Sequence, residues 1–304
     1  MRFAPIATAF FVIALSSPLP AAEIPQRIVS IGGATTEIVY ELGLGASVVA
    51  VDSTSQHPDA VRARPNVGYM RALAAEPIIA LSPDLVLLDG DSGPRSTIDQ
   101  LREAGLRLVI VPDKPTVSGV LRKIAVIAKA TGSGHRAATR LRKNIVRRLE
   151  QVSDAVAQLS HRPKVLFLLS VGSGGAPLAG GRETSADGII GLAGGLNAAT
   201  AFSGFKPITP EAIVETAPDV VLVTRRSLGM LGGKETLLAN PAIAATPAGR
   251  SRRIVAMDGL LLLGFGPRIG DAVLELARAL HPQSRILPGD ETGGAAGSSV
   301  SKVP

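Results

Sequence analysis

The feature that most restricts the fold is a regular alternation of short aliphatic runs with amphipathic segments. The first series of strand-like and helical patterns lies at 27–31, 35–42, 48–51, 75–81, 85–88, 96–104 and 108–111. A second series lies at 164–169, 186–193, 210–216, 220–223, 254–256 and 270–280. Buried Val, Ile and Leu runs that alternate with helices are typical of βα units in a mostly parallel sheet. The sequence therefore predicts an α/β protein with two Rossmann-like lobes.

An internal repeat supports the two lobes. Residues 76–88 and 211–223 align at an offset of 135, and in each copy a short helix is followed by a Pro-Asp turn and a buried strand. Each copy begins with a glutamate, Glu76 in the first and Glu211 in the second. Two similar lobes enclose a cleft between them, and ligand sites favour such interfaces.

The segment that joins the lobes is predicted to be helical. Residues 116–160 contain no proline, and one apolar face recurs at three- and four-residue steps through Leu141, Ile145, Leu149, Val152, Val156 and Leu159. Gly132 and Gly134 are expected to divide it, leaving a long inter-lobe helix. Its other faces carry Arg136, Arg140, Arg142, Lys143, Arg147 and Arg148. This charge indicates either an anion-binding strip or an ordinary solvated face.

Both ends of the chain differ in composition from the rest. Residues 1–22 combine Arg2, an apolar run of about a dozen residues and a Pro- and Ala-rich end, which is the pattern of an export signal. The run is shorter than the ~20 residues that span a bilayer. We therefore expect a periplasmic protein with lobes at 23–115 and 161–288, a linker at 116–160 and a disordered Gly/Ala/Ser tail at 289–304.

Composition excludes several function classes. The chain has no Cys, which removes disulfides, thiolate metal sites and cysteine nucleophiles. Aromatic residues make up only 3%, too few for a base-stacking nucleic-acid platform. Neither a phosphate-binding loop nor a nucleophile elbow occurs. An exported α/β enzyme remains the alternative class, but it lacks a visible activated nucleophile.

The candidate ligand-binding residues begin at Tyr69. A phenol has a pKa near ~10, but ferric iron displaces its proton and a nearby guanidinium, here Arg71, favours the phenolate. Tyrosinate is also an axial ligand of haem iron. The alternative is a tyrosine that packs its ring in the cleft wall. Arg225, Arg226 and Arg268 lie on predicted loops, where they either meet an anionic ligand or form ordinary surface charge.

At these residues the chain resembles the haem-binding substrate-binding proteins of bacterial ABC importers, a branch of the cobalamin- and siderophore-type class. The likeness extends over about residues 27–280. It is strongest in the segments NVGYMRA at 66–72, 75–88, GGRETSADGIIGLAGGLN at 180–197 and MDGLLLLGFGPR at 257–268.

The resemblance implies a role for each candidate. Tyr69 would bind the ferric iron and Arg71 would hydrogen-bond its phenolate, with Arg225, Arg226 or Arg268 near the propionates. Loop 170–174 has no histidine, which favours one haem with a single protein ligand.

The same likeness implies partners. The haem would be transported cargo, not a catalytic cofactor, carried by a monomer. Glu76 and Glu211 would dock onto the two subunits of an inner-membrane permease. The alternative hypothesis is that the same fold carries a ferric siderophore or cobalamin as its cargo.

Overall fold

The computed structural model describes residues 24–133, 135–171 and 176–284. The predicted export signal at 1–22 and the predicted tail at 289–304 lie outside these residues. Two β-sheets, one from each half of the chain, organise the rest. The α/β prediction with two lobes is confirmed.

The first sheet is entirely parallel. Its four strands are β1 Ile28–Ile31, β2 Val48–Val51, β3 Leu85–Asp89 and β4 Leu108–Val111. They lie in the order β2-β1-β3-β4, with Ile28 opposite Leu85 and Ile31 opposite Leu88. Every residue of β1 and β3 is buried, as expected for strands covered by helices on both faces.

The second sheet is mixed. Its strands are β5 Lys164–Ser170, β6 Leu178–Gly180, β7 Leu196–Asn197, β8 Phe205–Pro207, β9 Val220–Thr224 and β10 Ile254–Met257. The order is β10-β9-β5-β6-β8, and β7 also pairs with β5. Strand β5 pairs parallel with β7 and β9, and β9 pairs parallel with β10, whereas β6 pairs antiparallel with β5 and β8. Strands β6, β7 and β8 were not predicted from the sequence, because two or three residues are too few to show a period.

Thirteen α-helices surround the two sheets in the described part of the chain. Those of the first half are α1 Gly33–Glu41, α2 Ala75–Ala80, α3 Arg95–Glu103, α4 Val117–Thr131 and α5 His135–Ala157. Those of the second half are α6 Ser185–Leu192, α7 Pro210–Thr216, α8 Arg225–Leu231, α9 Lys234–Leu238, α10 Pro241–Ala244, α11 Pro247–Arg250, α12 Gly259–Leu263 and α13 Ile269–Leu280.

Local sequence explains where many of these helices begin and end. Thr side chains accept a hydrogen bond from the third residue of the helix at the starts of α4, α6, α7, α8 and α11. Gly132 ends α4 with a φ of 63°, a left-handed conformation that glycine adopts without strain. The linker is therefore divided at Gly132, as predicted, while Gly134 lies outside the described residues.

The core consists of three apolar clusters that define five layers. Helices α2 and α3 cover the outer face of the first sheet. Helices α7, α9, α10 and α11 cover the outer face of the second sheet. Between the sheets lies one continuous cluster built from α1, α4, α5, α6, α12 and α13. The two lobes therefore share a single inner core.

Two ion pairs cross this inner layer. Lys123 of α4 is fully buried, and its Nζ lies 2.5 Å from Asp113 Oδ1 and donates to the Gly264 carbonyl at 3.3 Å. Glu37 of α1 is also buried, and its carboxylate accepts hydrogen bonds from Arg268 Nε at 3.0 Å and from Arg268 Nη2 at 2.5 Å. Gly264 and Arg268 belong to the second half of the chain, so the Lys123–Gly264 hydrogen bond and the Glu37–Arg268 pair join the lobes. The Lys123–Asp113 pair lies within the first half.

We expect Asp113→Asn to lower the free energy of unfolding by about 3–5 kcal/mol, because it leaves the buried Lys123 ammonium without its counter-charge. Replacing both partners, as Asp113→Leu with Lys123→Met, should cost much less, since no buried charge then remains. Urea unfolding of the two variants and the parent protein measures the difference. Equal losses in both variants would contradict this account of the pair.

Candidate ligand-binding cleft

A cleft of about 700 Å³ lies between the lobes. It follows the carboxyl ends of the parallel strands: β1 leads into Gly32, β3 ends at Asp89, β9 ends at Thr224 and β10 leads into Asp258, and all four residues line it. In open α/β sheets ligands bind at these strand ends. The predicted inter-lobe cleft is therefore present.

The loop before α2 presents Tyr69 to this cleft. The Gly68 N–H donates to Asn66 Oδ1 at 2.8 Å, and Gly68 has a φ of 102°, which favours glycine. The next residue but one, Met70, is 7% exposed and packs in the outer core, whereas Tyr69 is 44% exposed. The buried Met70 anchors the loop and leaves the Tyr69 ring directed at the cleft.

Tyr69, Arg71 and Asp91 form a hydrogen-bonded chain. Arg71 Nη1 donates to the Tyr69 hydroxyl oxygen at 2.9 Å, and Arg71 Nη2 lies 2.7 Å from Asp91 Oδ2. The hydrogen bond to Asp91 raises the pKa of Arg71, with Tyr69 adding to the effect against partial burial. A cation that donates to the phenol oxygen stabilises its ionised form.

Asp91 is the functional candidate that sequence reasoning missed. It stands two residues after Asp89, the last residue of β3. It lies 20 residues from Arg71 in the chain. Spacing gives no signal for that pairing, because the β3 loop and the Tyr69 loop meet only in the folded protein.

Arg225 and Arg226 line the cleft from the second lobe. The sequence placed them on a loop, and this was wrong: they open α8, whose cap is the Thr224 side chain, which accepts from the Ser227 N–H at 3.0 Å. Arg225 forms an ion pair with Glu275 at 3.0 Å. Arg226 is exposed and has no ion pair within the described residues. Arg226 is therefore the cation of this wall that is available to a ligand.

Arg268 lies on a turn, in agreement with the loop predicted from the sequence. It precedes α13 and lies outside the lining of the cleft, with its guanidinium held by Glu37. Burial lowers the pKa of Arg268, but the hydrogen bonds and charge of Glu37 outweigh this and raise it overall. The fork of a guanidinium matches a carboxylate in two parallel bonds, so this arginine joins the lobes.

Asp89 introduces a titratable group into the cleft floor. It is 5% exposed, and burial together with the nearby Asp113 carboxylate raises its pKa from 3.8 to about 6, although Lys123 opposes the shift. A Cβ at Gly32 would lie 2.6 Å from the Asp89 Cβ, so only glycine fits beside it. The carboxyl is thus partly protonated near neutral pH.

Glu76 and Glu211 are not among the residues that line the cleft, and they lie in the first turns of the outer helices α2 and α7. Both are exposed, and hydrogen bonds from its own backbone N–H and from Thr209 lower the pKa of Glu211. Three residues after each glutamate stands an exposed aliphatic side chain, Ile79 at 38% and Val214 at 42%. The repeat therefore displays the same carboxylate and aliphatic pair on each lobe, and the aliphatic members were not singled out from the sequence.

Three further features were looked for in the described residues: the loop after β5, a group of metal ligands and a membrane-spanning helix. Positions 172–175 of the histidine-free loop lie outside the described residues. Within 24–133, 135–171 and 176–284, no three His, Asp or Glu side chains are grouped to hold a bare metal ion. Over the same residues, no helix has both the length and the apolar character needed to cross a membrane.

Two α/β lobes with a ligand cleft at the strand ends define the substrate-binding proteins of importers. The chain belongs to the periplasmic binding protein family, whose family model matches residues 28–260. This is a family of binding proteins and not of enzymes.

The chain is also similar to solved structures and to curated proteins. The periplasmic heme-binding protein RhuT from Roseiflexus sp. RS-1 is 40% identical with a TM-score of 0.81, over 84% of this chain and 98% of that one. A periplasmic heme-binding protein from Pseudomonas aeruginosa is 35% identical with a TM-score of 0.80, over 86% and 94%. A cobalamin-binding protein of Halobacterium salinarum is 28% identical, over 84% of this chain and 70% of its own length.

We expect Asp89 to make stability depend on pH between about 4 and 6. Its folded-state pKa lies above the unfolded value, so the folded protein binds the extra proton and loses stability as pH rises through this window. The free energy of unfolding of Asp89→Asn, relative to that of the parent protein, should therefore increase as pH rises, by up to about 3 kcal/mol. The difference should be constant above pH ~7.

Urea unfolding of both proteins at several pH values between 4 and 7.5 checks this. The exposed Asp154→Asn is the matched control and should track the parent throughout. A pH-independent difference between Asp89→Asn and the parent protein would show that Asp89 is ionised at the same pH in both states.

Proposed function

We propose that this protein captures ferric haem in the inter-lobe cleft and delivers it to an inner-membrane ABC permease. The observation that carries the proposal is the chain Tyr69–Arg71–Asp91 at the cleft wall. The haem is cargo in this account, and the protein breaks no bond in it. The heme-binding proteins to which the chain is similar support the same cargo.

Tyr69 would supply the axial ligand to the ferric iron. The phenolate is a hard oxygen donor, and Arg71 donates to that oxygen without removing its remaining lone pairs. Asp91 holds the guanidinium in place, which lowers the entropy lost when iron binds. A single tyrosine ligand favours one haem per protein.

The remaining walls suit a flat, apolar ring with acidic substituents. Leu169, Leu260 and Leu263 face the cleft from the second lobe. On the same side Arg226 is available to a propionate, and Arg225 could join it by leaving Glu275. Arg268 is assigned instead to lobe attachment, since contact with a propionate would require breaking its pair with Glu37.

The cobalamin-binding relative gives the alternative cargo, a corrinoid or a ferric siderophore, a specific basis. The Tyr69–Arg71 pair favours haem, because a cargo whose metal is already fully coordinated has no use for a phenolate. The two cargos are therefore separated by the effect of removing the Tyr69 hydroxyl.

Glu76 and Glu211 would dock onto the permease. Equivalent carboxylates on two pseudo-symmetric lobes suit a partner with two-fold symmetry. Ile79 and Val214 would add an apolar contact beside each charge, as protein interfaces combine both. The protein that docks, this chain, is proposed to be a periplasmic monomer exported by means of the segment 1–22.

Titration of the mature protein with ferric haem should give a saturable Soret shift and a phenolate-to-iron charge-transfer band. Tyr69→Phe should abolish the band and weaken binding by at least tenfold, because the iron then loses its protein ligand. Absorption spectroscopy measures both, and the equivalence point gives the number of haems.

Tyr40→Phe is the matched control, since Tyr40 lies on α1 away from the cleft lining and is the other tyrosine of the chain. It should titrate like the parent. If haem caused no saturable change in the parent protein, haem would be excluded as cargo, and cobalamin and siderophores would be screened next.

Replacing both docking carboxylates, as Glu76→Ala with Glu211→Ala, should abolish permease-dependent haem uptake while leaving haem affinity unchanged. Uptake into proteoliposomes that contain the cognate permease measures the first, and absorption titration the second. The exposed pair Glu103→Ala and Glu150→Ala controls for the loss of two charges. Full uptake by the Glu76/Glu211 variant would refute the docking role.

A further inference from the structure

The linker helices carry an unusual excess of positive charge. From position 114 to position 149 the sequence has ten Lys or Arg residues and no Asp or Glu. Two of the ten are neutralised in the fold, Lys123 by Asp113 and Arg148 by Asp271 at 3.3 Å. The other eight have no ion pair within the described residues, and they are Lys114, Arg122, Lys129, Arg136, Arg140, Arg142, Lys143 and Arg147. We call these eight the basic face.

Four members of the basic face form a straight row on α5. Arg136, Arg140, Lys143 and Arg147 recur at steps of four, three and four residues, which places them on one side of the helix over ~16 Å. All four are exposed. The apolar side of α5 is buried against α13. The row lies on the opposite side of the helix and forms a continuous positive edge.

This row opposes the stability of its own helix. Like charges at i, i+4 destabilise a helix, and the first acidic residue of α5 is Glu150, which follows the last member of the row. The first turn of α5 has no acidic residue and the last turn no basic one, so the cations lie towards the positive end of the helix dipole. An arrangement that works against the helix is not explained by folding, which points to a function at the surface.

A groove extends the positive charge towards α4. It has a volume of about 670 Å³, and Lys114, Arg122 and Arg142 reach it from three different elements, together with the Ser118 hydroxyl. Among the described residues, none that lines this groove carries a carboxylate. Three cations and a hydroxyl around a concave surface are suited to a phosphate group.

The chemistry of the basic face favours a lipid surface over an acidic protein. Protein interfaces depend on buried aromatic or aliphatic anchors. The exposed large apolar residues of the described chain all lie outside positions 114–149. Anionic headgroups need no such anchor, because each Lys or Arg near the bilayer contributes electrostatically on its own.

We propose that the basic face binds the phosphate headgroups of anionic phospholipids. The groove of Lys114, Arg122 and Arg142 would take one headgroup, and the α5 row would follow the bilayer surface. Glu76 lies on α2, on the opposite face of the first sheet from α4, so lipid contact leaves the proposed docking residues uncovered. Such binding concentrates the protein at the membrane, and it does not depend on the identity of the cargo.

The test is co-sedimentation with vesicles of phosphatidylcholine alone or mixed with phosphatidylglycerol. The parent protein should bind only the anionic vesicles, with affinity falling as salt rises. Arg140→Gln, Lys143→Gln and Arg147→Gln together should weaken binding on the order of a hundredfold. Inorganic phosphate at millimolar concentration should compete weakly, which separates a lipid surface from a site for free phosphate.

The control removes the same charge elsewhere, through Arg95→Gln, Lys206→Gln and Lys234→Gln, three exposed residues off the basic face. It should bind anionic vesicles within about threefold of the parent. Equal losses in the two triple variants would show that only the net charge of +7 matters and would overturn the proposal. Absence of binding to anionic vesicles, or strong competition by free phosphate, would overturn it as well. Haem titration of each variant tests the proposed cargo separately from lipid binding.

Discussion

The fixed relation between the two lobes depends on charges buried between the sheets. Lys123 lies in the inner layer with no exposed surface, and its ammonium contacts the Asp113 carboxylate and the Gly264 carbonyl. Glu37 and Arg268 make a second bridge through two parallel hydrogen bonds. A buried charge that loses its partner is costly, so separating the lobes would orphan Glu37 and Arg268 and would remove the Gly264 carbonyl from Lys123. With a shared apolar core around them, the cleft keeps its shape before any ligand enters.

Preorganisation extends to the ligand-binding residues. Met70 is buried and fixes the loop that carries Tyr69, while Asp91 fixes the guanidinium that contacts the Tyr69 oxygen. Arg225 and Arg226 are held by the start of a capped helix on the opposite wall. The site therefore combines rigid supports from both lobes. Capture and release by such a protein would rely on modest movements and on the partner, because a wide hinge motion would break the Glu37–Arg268 pair and the Lys123–Gly264 hydrogen bond.

Much of the fold followed from the sequence. The aliphatic runs predicted all four strands of the first sheet and three long strands of the second, and Gly132 marked the end of α4. The short strands β6, β7 and β8 and the helices α8 to α12 were not predicted. The strands have two or three residues and the helices four to seven, so side-chain periodicity hardly marks them. The position of Arg268 was also not predictable. Its partner Glu37 is 231 residues distant, and only tertiary packing brings them together.

By itself the sequence determined the βα alternation, the repeat that places Glu76 and Glu211 at equivalent positions, and the Tyr69–Arg71 spacing within one loop. These are local properties, set by side-chain periodicity and short-range geometry. The tertiary structure decided which charges are free and which are paired. It joined Asp91 to Arg71, took Arg268 out of the cleft, and gathered Lys114, Arg122 and Arg142 around one groove. Ion pairing depends on distances between residues far apart in the chain, and those distances exist only once the layers have packed.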